Sequence, residues 1–324
     1  MRSFQFHQAS TIKDALFQLR EKGRQAKILA GGTDLLGEIK DGIISPGLLV
    51  SIRDIPGLDR ISLGSGELRM GPLVSLHEIA AHPRIEKQFG ALAQAASEVG
   101  SPQLRHMGTL GGNLCQRPRC WYYRGEQVCL KKGGKQCYAP TGQNKYHAIL
   151  DGGPCFMVHP SDTAPALLAL RARVKIAGLQ GQRVIPLGKF FISPRQDVRR
   201  ETVLDPGEVL TEIQVPSIKE SRSVYLKTKE RRCWDFALAS VAVALTFEDG
   251  LCREARIVLG GVAPFPYRAS KAEEILKEKR IEEPLATQAS HLALLGALPL
   301  TSNAYKVDLA RALVRRALLA AASD

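Results

Sequence analysis

At 324 residues, 44% apolar and 24% charged, the chain has the balance of a protein that buries a sizeable core, with two domains expected. No run of about 18 uncharged apolar residues occurs, and the start, MRSFQFHQASTIKDAL, has no apolar core and no small-residue cleavage site, so neither a membrane span nor a secretory signal is expected and the cytoplasm is the natural compartment. A formal net charge of +13 points to a polyanion or to acidic partner surfaces, and seven clustered cysteines in a reducing compartment point to a metal or redox site rather than to disulfides.

Thr11-Ile12-Lys13-Asp14 has the form of a capping box; Ile12, Ala15, Leu16 and Leu19 follow at helical spacing and Gly23 ends the helix. Residues 26–30 read as a short strand that runs into Gly31-Gly32-Thr33-Asp34 and a helical start at Leu35. Residues 48–52 are another strand, broken by Arg53-Asp54-Ile55-Pro56-Gly57, which marks a subdomain boundary near 56. A strand over 67–70 is followed by a second capping box, Ser75-Leu76-His77-Glu78, with His77 a helix-start residue, and by one helix over 84–99. Residues 105–162 then carry a glycine turn, five cysteines and a Ser-Asp turn. Between 101 and 160 eight Lys/Arg stand against Glu126 and Asp151, an excess suited to phosphates, to an anionic cluster or to a solvated basic face.

After a short apolar helix or strand end at 165–170, residues 173–177 and 183–186 form a hairpin. A strand over 208–215 stops at Pro216, where the main domain boundary is placed. Beyond it, 224–229, 236–248 and 253–262 read as three antiparallel strands, with Glu248-Asp249-Gly250 turning the second into the third. Helices over roughly 270–280, 286–295 and 304–322 follow. Ser270 and Glu273 suggest a third capping box, and Leu309, Ala312, Leu313, Ala317 and Leu318 a buried stripe. Cys233 and Cys252 read as ordinary thiols.

Strand, glycine turn and helix in succession leave backbone N–H groups free for a phosphate. The turn at 31–34 is neither a P-loop nor the GxGxxG fingerprint, and alone it is only a tight turn. A second turn, Gly108-Thr109-Leu110-Gly111-Gly112-Asn113, lies elsewhere in the chain. Two such turns could grip one pyrophosphate from opposite sides, glycine allowing close backbone approach and threonine hydroxyls adding donors.

The cysteines are openly spaced: eight residues separate Cys120 from Cys129, seven separate Cys129 from Cys137 and seventeen separate Cys137 from Cys155. No CxxC pair is present, so a zinc ribbon fits poorly. An iron–sulfur cluster tolerates such loops, and a set of free thiols is the third reading.

The two turns, Ser161-Asp162-Thr163, the strand at 208–213 and Gly260-Gly261-Val262-Ala263-Pro264 together resemble the flavin-binding medium subunit of the molybdenum hydroxylase family. That family includes xanthine dehydrogenase, carbon monoxide dehydrogenase, aldehyde oxidoreductases and 4-hydroxybenzoyl-CoA reductase. The resemblance implies an α+β chain: a two-subdomain FAD-binding fold of the vanillyl-alcohol-oxidase kind over 1–216, divided near 56, and a C-terminal domain over 217–324 with a three-stranded antiparallel sheet and helices. It implies FAD contacts at Ile28, Leu29, Ala30, Gly31, Gly32, Thr33, Asp34 and Leu35 and at Gly108, Thr109, Gly111, Gly112 and Asn113. Asp162 would lie near the ribityl and phosphate, Leu210 by the isoalloxazine, and Lys227 at the ring edge, where a cation favours anionic reduced flavin.

A subset of the family, with 4-hydroxybenzoyl-CoA reductase among its members, carries an insertion that binds a [4Fe–4S] cluster, and residues 115–158 resemble it. The implied ligands are Cys120, Cys129, Cys137 and Cys155, with Cys115 structural. Arg119, Arg124, Lys131 and Lys132 would offset the cluster's charge, and glycines 133, 134, 152 and 153 would donate N–H bonds to its sulfurs. No catalytic acid or base is expected.

The implied partners are a molybdopterin-binding large subunit and a [2Fe–2S] small subunit in a dimer of heterotrimers, with ferredoxin or NAD as external electron carrier and no membrane or nucleic acid. A 4-hydroxybenzoyl-CoA reductase-like role is the first expectation and a xanthine- or aldehyde-type dehydrogenase subunit the alternative. From another class, a zinc-stapled nucleic-acid-binding protein would leave both glycine turns unexplained.

Overall fold

A computed structural model describes residues 2–64 and 66–323. The architecture is α+β, with three sheets. The first is parallel: β1 (Gln5–Gln8) and β2 (Ala26–Leu29) flank β3 (Leu48–Ser51). Helix Ile12–Lys22 buries Ala15, Leu16 and Leu19 in the same core as Ala26, Leu48 and Val50. Strand β1 has no counterpart in the sequence reading because it is an edge strand that buries no side chain and so leaves no apolar pattern. The first capping box is half made: Thr11 Oγ1 accepts from Asp14 N at 3.1 Å, but Asp14 answers to Ser10 N and to His7 instead.

The second sheet is antiparallel. It holds β4 (Ile61–Leu63), β5 (Glu67–Met70), β6 (Arg173–Gly178), β7 (Gly181–Pro186) and β8 (Val209–Pro216), in the order β4-β5-β8-β6-β7. Strand β8 lies between β5 and β6, so the chain leaves the sheet at residue 71, runs through both the second glycine turn and the cysteines, and returns at 173. The helix expected over 84–99 is two, Pro83–Gln88 and Gly90–Ser97. The break is Phe89, which leaves helical geometry (φ −135°, ψ 49°) and is buried in the core.

The third sheet runs β12-β11-β10-β9, with β9 (Ser221–Thr228), β10 (Ala239–Glu248), β11 (Leu251–Gly260) and β12 (Tyr267–Arg268). A fourth strand of two residues thus joins the three expected; Pro264 and Pro266 keep the preceding chain out of the ladder. The first of the expected helices shortens to Ser270–Glu274 and has no capping box. Glu273 instead turns inward, accepting from Ile257 N at 2.9 Å and pairing with Arg268 at 2.6 Å. Helix Tyr305–Ala322 buries Lys306, Ala310, Leu313, Val314, Ala317, Leu318 and Ala321, so its stripe passes through Ala310 and Val314 rather than Leu309 and Ala312.

Residues 116–162 hold little regular structure and are fastened to the C-terminal part. Ile149 N and Leu150 N donate to Val262 O at 2.9 and 3.0 Å, and His159 N to Ala263 O at 3.0 Å. The Gly-Gly-Val-Ala-Pro segment is the platform on which this loop rests. Among the described residues no helix is long and apolar enough to cross a membrane.

Candidate redox-cofactor site

The first glycine turn links β2 to the short helix Leu35–Lys40. Among the described residues the N–H groups of Gly31, Gly32, Thr33 and Asp34 donate to no backbone carbonyl. Gly32 has φ +74°, which turns successive amides to one side and favours glycine there. The second turn opens helix Leu110–Cys115, where Thr109 Oγ1 accepts from Gly112 N at 3.2 Å. The two turns pack together, and a Cβ on Gly31 would overlap the Met107 carbonyl oxygen. A cavity of about 170 Å³ opens beside them, lined by Ala30, Gly31 and Thr109 with Arg53, Asp59 and His106. Gly31, Thr109 and the Arg53 cation border this space, with Asp59 the one carboxylate in its lining, and such donors fit a dinucleotide's pyrophosphate.

The Ser-Asp turn joins this group through Asn113. Its Oδ1 accepts from Ser161 Oγ at 2.5 Å and from Thr163 Oγ1 at 2.7 Å, all buried. Asp162 lines a second cavity of about 380 Å³, together with Ser161, Pro160, Cys120, His147 and Phe236. Its carboxylate accepts from Lys227 Nζ and from Tyr225 Oη, each at 2.7 Å. Burial still holds Asp162 above its ordinary value, with Lys227 working the other way.

Cys120, Cys129, Cys137 and Cys155 line one small apolar void of about 10 Å³, closed by Leu130, Met157 and Tyr123. Cys115 is not among them; it packs against the central core, and burial pushes its thiol up to about 12. Backbone N–H groups already face three of the sulfurs: Tyr122 and Tyr123 at Cys120, Ala139 and Phe156 at Cys137, and Met157 at Cys155. Cys137 and Cys155 are hydrogen-bonded to each other, which lowers the thiol of Cys137 and raises that of Cys155. Among the described residues no three His, Cys, Asp or Glu side chains surround a single-ion position. Four thiols around one void are a donor set of the kind that an iron–sulfur cluster takes.

Several expected roles differ. The amides of Gly133, Gly134 and Gly153 donate to the carbonyls of Leu130, Cys129 and Cys155, so the N–H groups near sulfur come from other residues. The expected counter-charges are largely spent: Arg119 and Arg124 pair with Asp34 at 2.6 and 2.7 Å, Lys131 with Glu201 at 2.5 Å, and Lys132 donates to Gly125 O. Only Lys131 lines the void. Asp34, expected at the flavin, holds the cysteine segment to the first turn, since it also accepts from Arg117 N at 2.7 Å. Lys227 stands behind Asp162 and lines neither cavity, and Leu210 is buried in the core of the second sheet.

Tyr123, whose ring the sequence offers as a shield for the cluster or as core packing, donates from Oη to Glu38 Oε1 at 2.5 Å, joining the insertion to the helix after the first turn. Two supports had no reading in the sequence: buried Asn144 ties the insertion to Thr301 and Ser302, and buried Lys306 ties it to the last helix. Lys306 had a visible signal: it is a charged residue four positions before Ala310 on an apolar stripe. His147, whose Nε2 is 3.3 Å from Cys120 Sγ, is held near 4 by burial and is therefore neutral.

Comparison with known proteins agrees with this layout. The family described as the FAD binding domain in molybdopterin dehydrogenase matches residues 2–218, and the CO dehydrogenase flavoprotein C-terminal domain matches 224–321. The aldehyde oxidoreductase FAD-binding subunit PaoB of Escherichia coli (strain K12) is 34% identical over 96% of either chain. The carbon monoxide dehydrogenase medium chain of Afipia carboxidovorans is 26% identical over 98% of this chain and 96% of its own. Among solved structures, carbon monoxide dehydrogenase from Hydrogenophaga pseudoflava superimposes with a TM-score of 0.79 at 26% identity, over 99% of this chain and 97% of that one.

Proposed function

The chain belongs to the molybdopterin dehydrogenase family as one of its FAD-binding subunits, and from that premise we propose that it couples its FAD site to a [4Fe–4S] cluster held by Cys120, Cys129, Cys137 and Cys155. It is a subunit of a multi-subunit molybdenum oxidoreductase of the aldehyde, carbon monoxide or xanthine dehydrogenase type. Bound here, FAD would exchange electrons singly or in pairs and the cluster singly, relaying them between partner [2Fe–2S] centres and an outside carrier.

This chain's residues bind and orient. The amides at 31–34 and the Thr109 turn receive the pyrophosphate. Asp162, fixed by Tyr225 and Lys227, faces the larger cavity on the flavin side. The four thiolates, shielded by Leu130, Met157 and Tyr123, hold the cluster away from water. The division at 216/217 and the insertion at 115–158 belong to the same reading, as do the molybdopterin-binding large subunit, the [2Fe–2S] small subunit and a dimer of heterotrimers. The observation that carries the reading is that Cys120 lines both cavities, so the thiol void and the Asp162 cavity share one wall.

For the substrate, the aldehyde-type alternative has better support than the 4-hydroxybenzoyl-CoA reductase-like role. It rests on the relative at 34% identity, whose name is that of an aldehyde oxidoreductase subunit. Family membership leaves the zinc-stapled nucleic-acid reading without support. Cys137→Ser in anaerobically purified complex is the test. Iron is expected to fall sharply with FAD content kept; unchanged iron would remove Cys137 from the ligand set.

A further inference from the structure

The wall between the two cavities contains a side chain with no role in the account so far. His147 lines the larger cavity, and its Nε2 stands 3.3 Å from the sulfur of Cys120, which lines both. Its other ring nitrogen, Nδ1, is buried without a partner. A free thiol can donate to Nε2. An iron-bound thiolate offers only lone pairs, so the ring proton must then sit on Nε2 and point at sulfur.

The backbone that carries His147 is gripped from the far side. Lys306, 0% exposed, donates from Nζ to the carbonyls of Tyr146 (2.9 Å), His147 (3.2 Å) and Gly261 (2.7 Å). Asn303 Nδ2 donates to the carbonyls of His147 and Ala148 at 3.0 and 3.3 Å. Lys306 Nζ sits among three carbonyls with no carboxylate paired to it among the described residues, and burial holds its ammonium down at about 7.

We propose that His147 is a positioning residue for the cluster, donating Nε2–H to the Cys120 sulfur, and that Lys306 clamps it there through the carbonyls of Tyr146 and His147. The inference rests on the cluster reading above. A hydrogen bond to a ligand sulfur favours the more negative, reduced cluster and so raises its potential.

The test uses the full chain, purified anaerobically in the complex it forms. Iron and FAD are assayed first, and a potentiometric titration is then followed by electron paramagnetic resonance. His147→Phe is expected to keep iron and FAD while the reduced-to-oxidised ratio at fixed potential falls about tenfold, equivalent to about 59 mV for a one-electron couple. His147→Gln keeps an N–H donor and is expected to stay nearer the unsubstituted protein. An unchanged midpoint in iron-replete His147→Phe overturns the inference and leaves the cluster standing. Unsubstituted complex that holds FAD but no iron beyond that of its [2Fe–2S] centres overturns the cluster itself. Should His147→Phe fail to retain iron, Lys306→Met decides: a lowered midpoint upholds the inference and an unchanged one overturns it.

Discussion

Lys227 is a residue whose role changes once its neighbours are known. The family resemblance implies a charge at the flavin edge; in the structure Lys227 is the buried counter-ion of Asp162, with a second bond to Glu98 O at 3.0 Å. Removing one member of a buried pair leaves the other charged and unpaired, at a cost of about 3–5 kcal/mol. The pH dependence follows from Asp162, which burial already holds above its ordinary value. A carboxyl raised in the folded state binds its proton more tightly there than when unfolded, so folding gains as pH falls through the window above its unfolded value. Lys227→Met widens that window. The variant is expected to be most destabilised near about pH 8 and less so near about pH 5, measured by urea unfolding. An equal loss at both would mean that Asp162 is not the group left unpaired. At Gly111 the protein itself leaves no room for a side chain: an added Cβ would lie 2.7 Å from Pro72 Cβ.

At the scale of elements, what is local in sequence is what sequence could reveal. Strand β2, the glycine turn and the start of helix Leu35–Lys40 are contiguous, as are Thr109 and its short helix, and the Ser75 capping box forms in full. The four cysteines could be chosen only through the family resemblance, because the bonds that gather them are distant. Asn144 reaches Thr301 Oγ1 at 2.9 Å and Ser302 N at 2.8 Å, and Tyr123 reaches Glu38 across the chain. No periodicity encodes such pairs. Edge strand β1 and the break at Phe89 were hidden for another reason: the first buries no side chain, and the second is an apolar residue at helical spacing from Ile85 and Leu92. If the insertion depends on those distant bonds, Asn144→Ala should loosen it. The substitution orphans buried partners, at about 1–3 kcal/mol. Iron should then be lost to a chelator faster than from the unsubstituted chain, with FAD retained. Equal chelation rates would show that the loop holds itself together.

Across the whole molecule, one chain segment serves both candidate cofactor sites. It leaves the second sheet after β5, supplies the Thr109 turn, loops out through the cysteines, comes back over the C-terminal platform and supplies Asp162 before rejoining at β6. The excess positive charge seen along this stretch is mostly paired with acids from elsewhere in the chain, Arg119 and Arg124 with Asp34, Arg117 and Lys131 with Glu201, and Lys145 with Glu230. It holds the insertion down more than it attracts a partner. Family and fold place the chain among FAD-binding subunits, and the central claim is that this one carries a second redox centre. The direct test is the metal, acid-labile sulfide and flavin content of the anaerobically purified complex, per copy of this chain. The account predicts about four iron and four sulfide beyond those of the partner's [2Fe–2S] centres, with one FAD, as one [4Fe–4S] centre on this chain requires. FAD with zinc, or iron and sulfide no greater than the [2Fe–2S] centres account for, would contradict it.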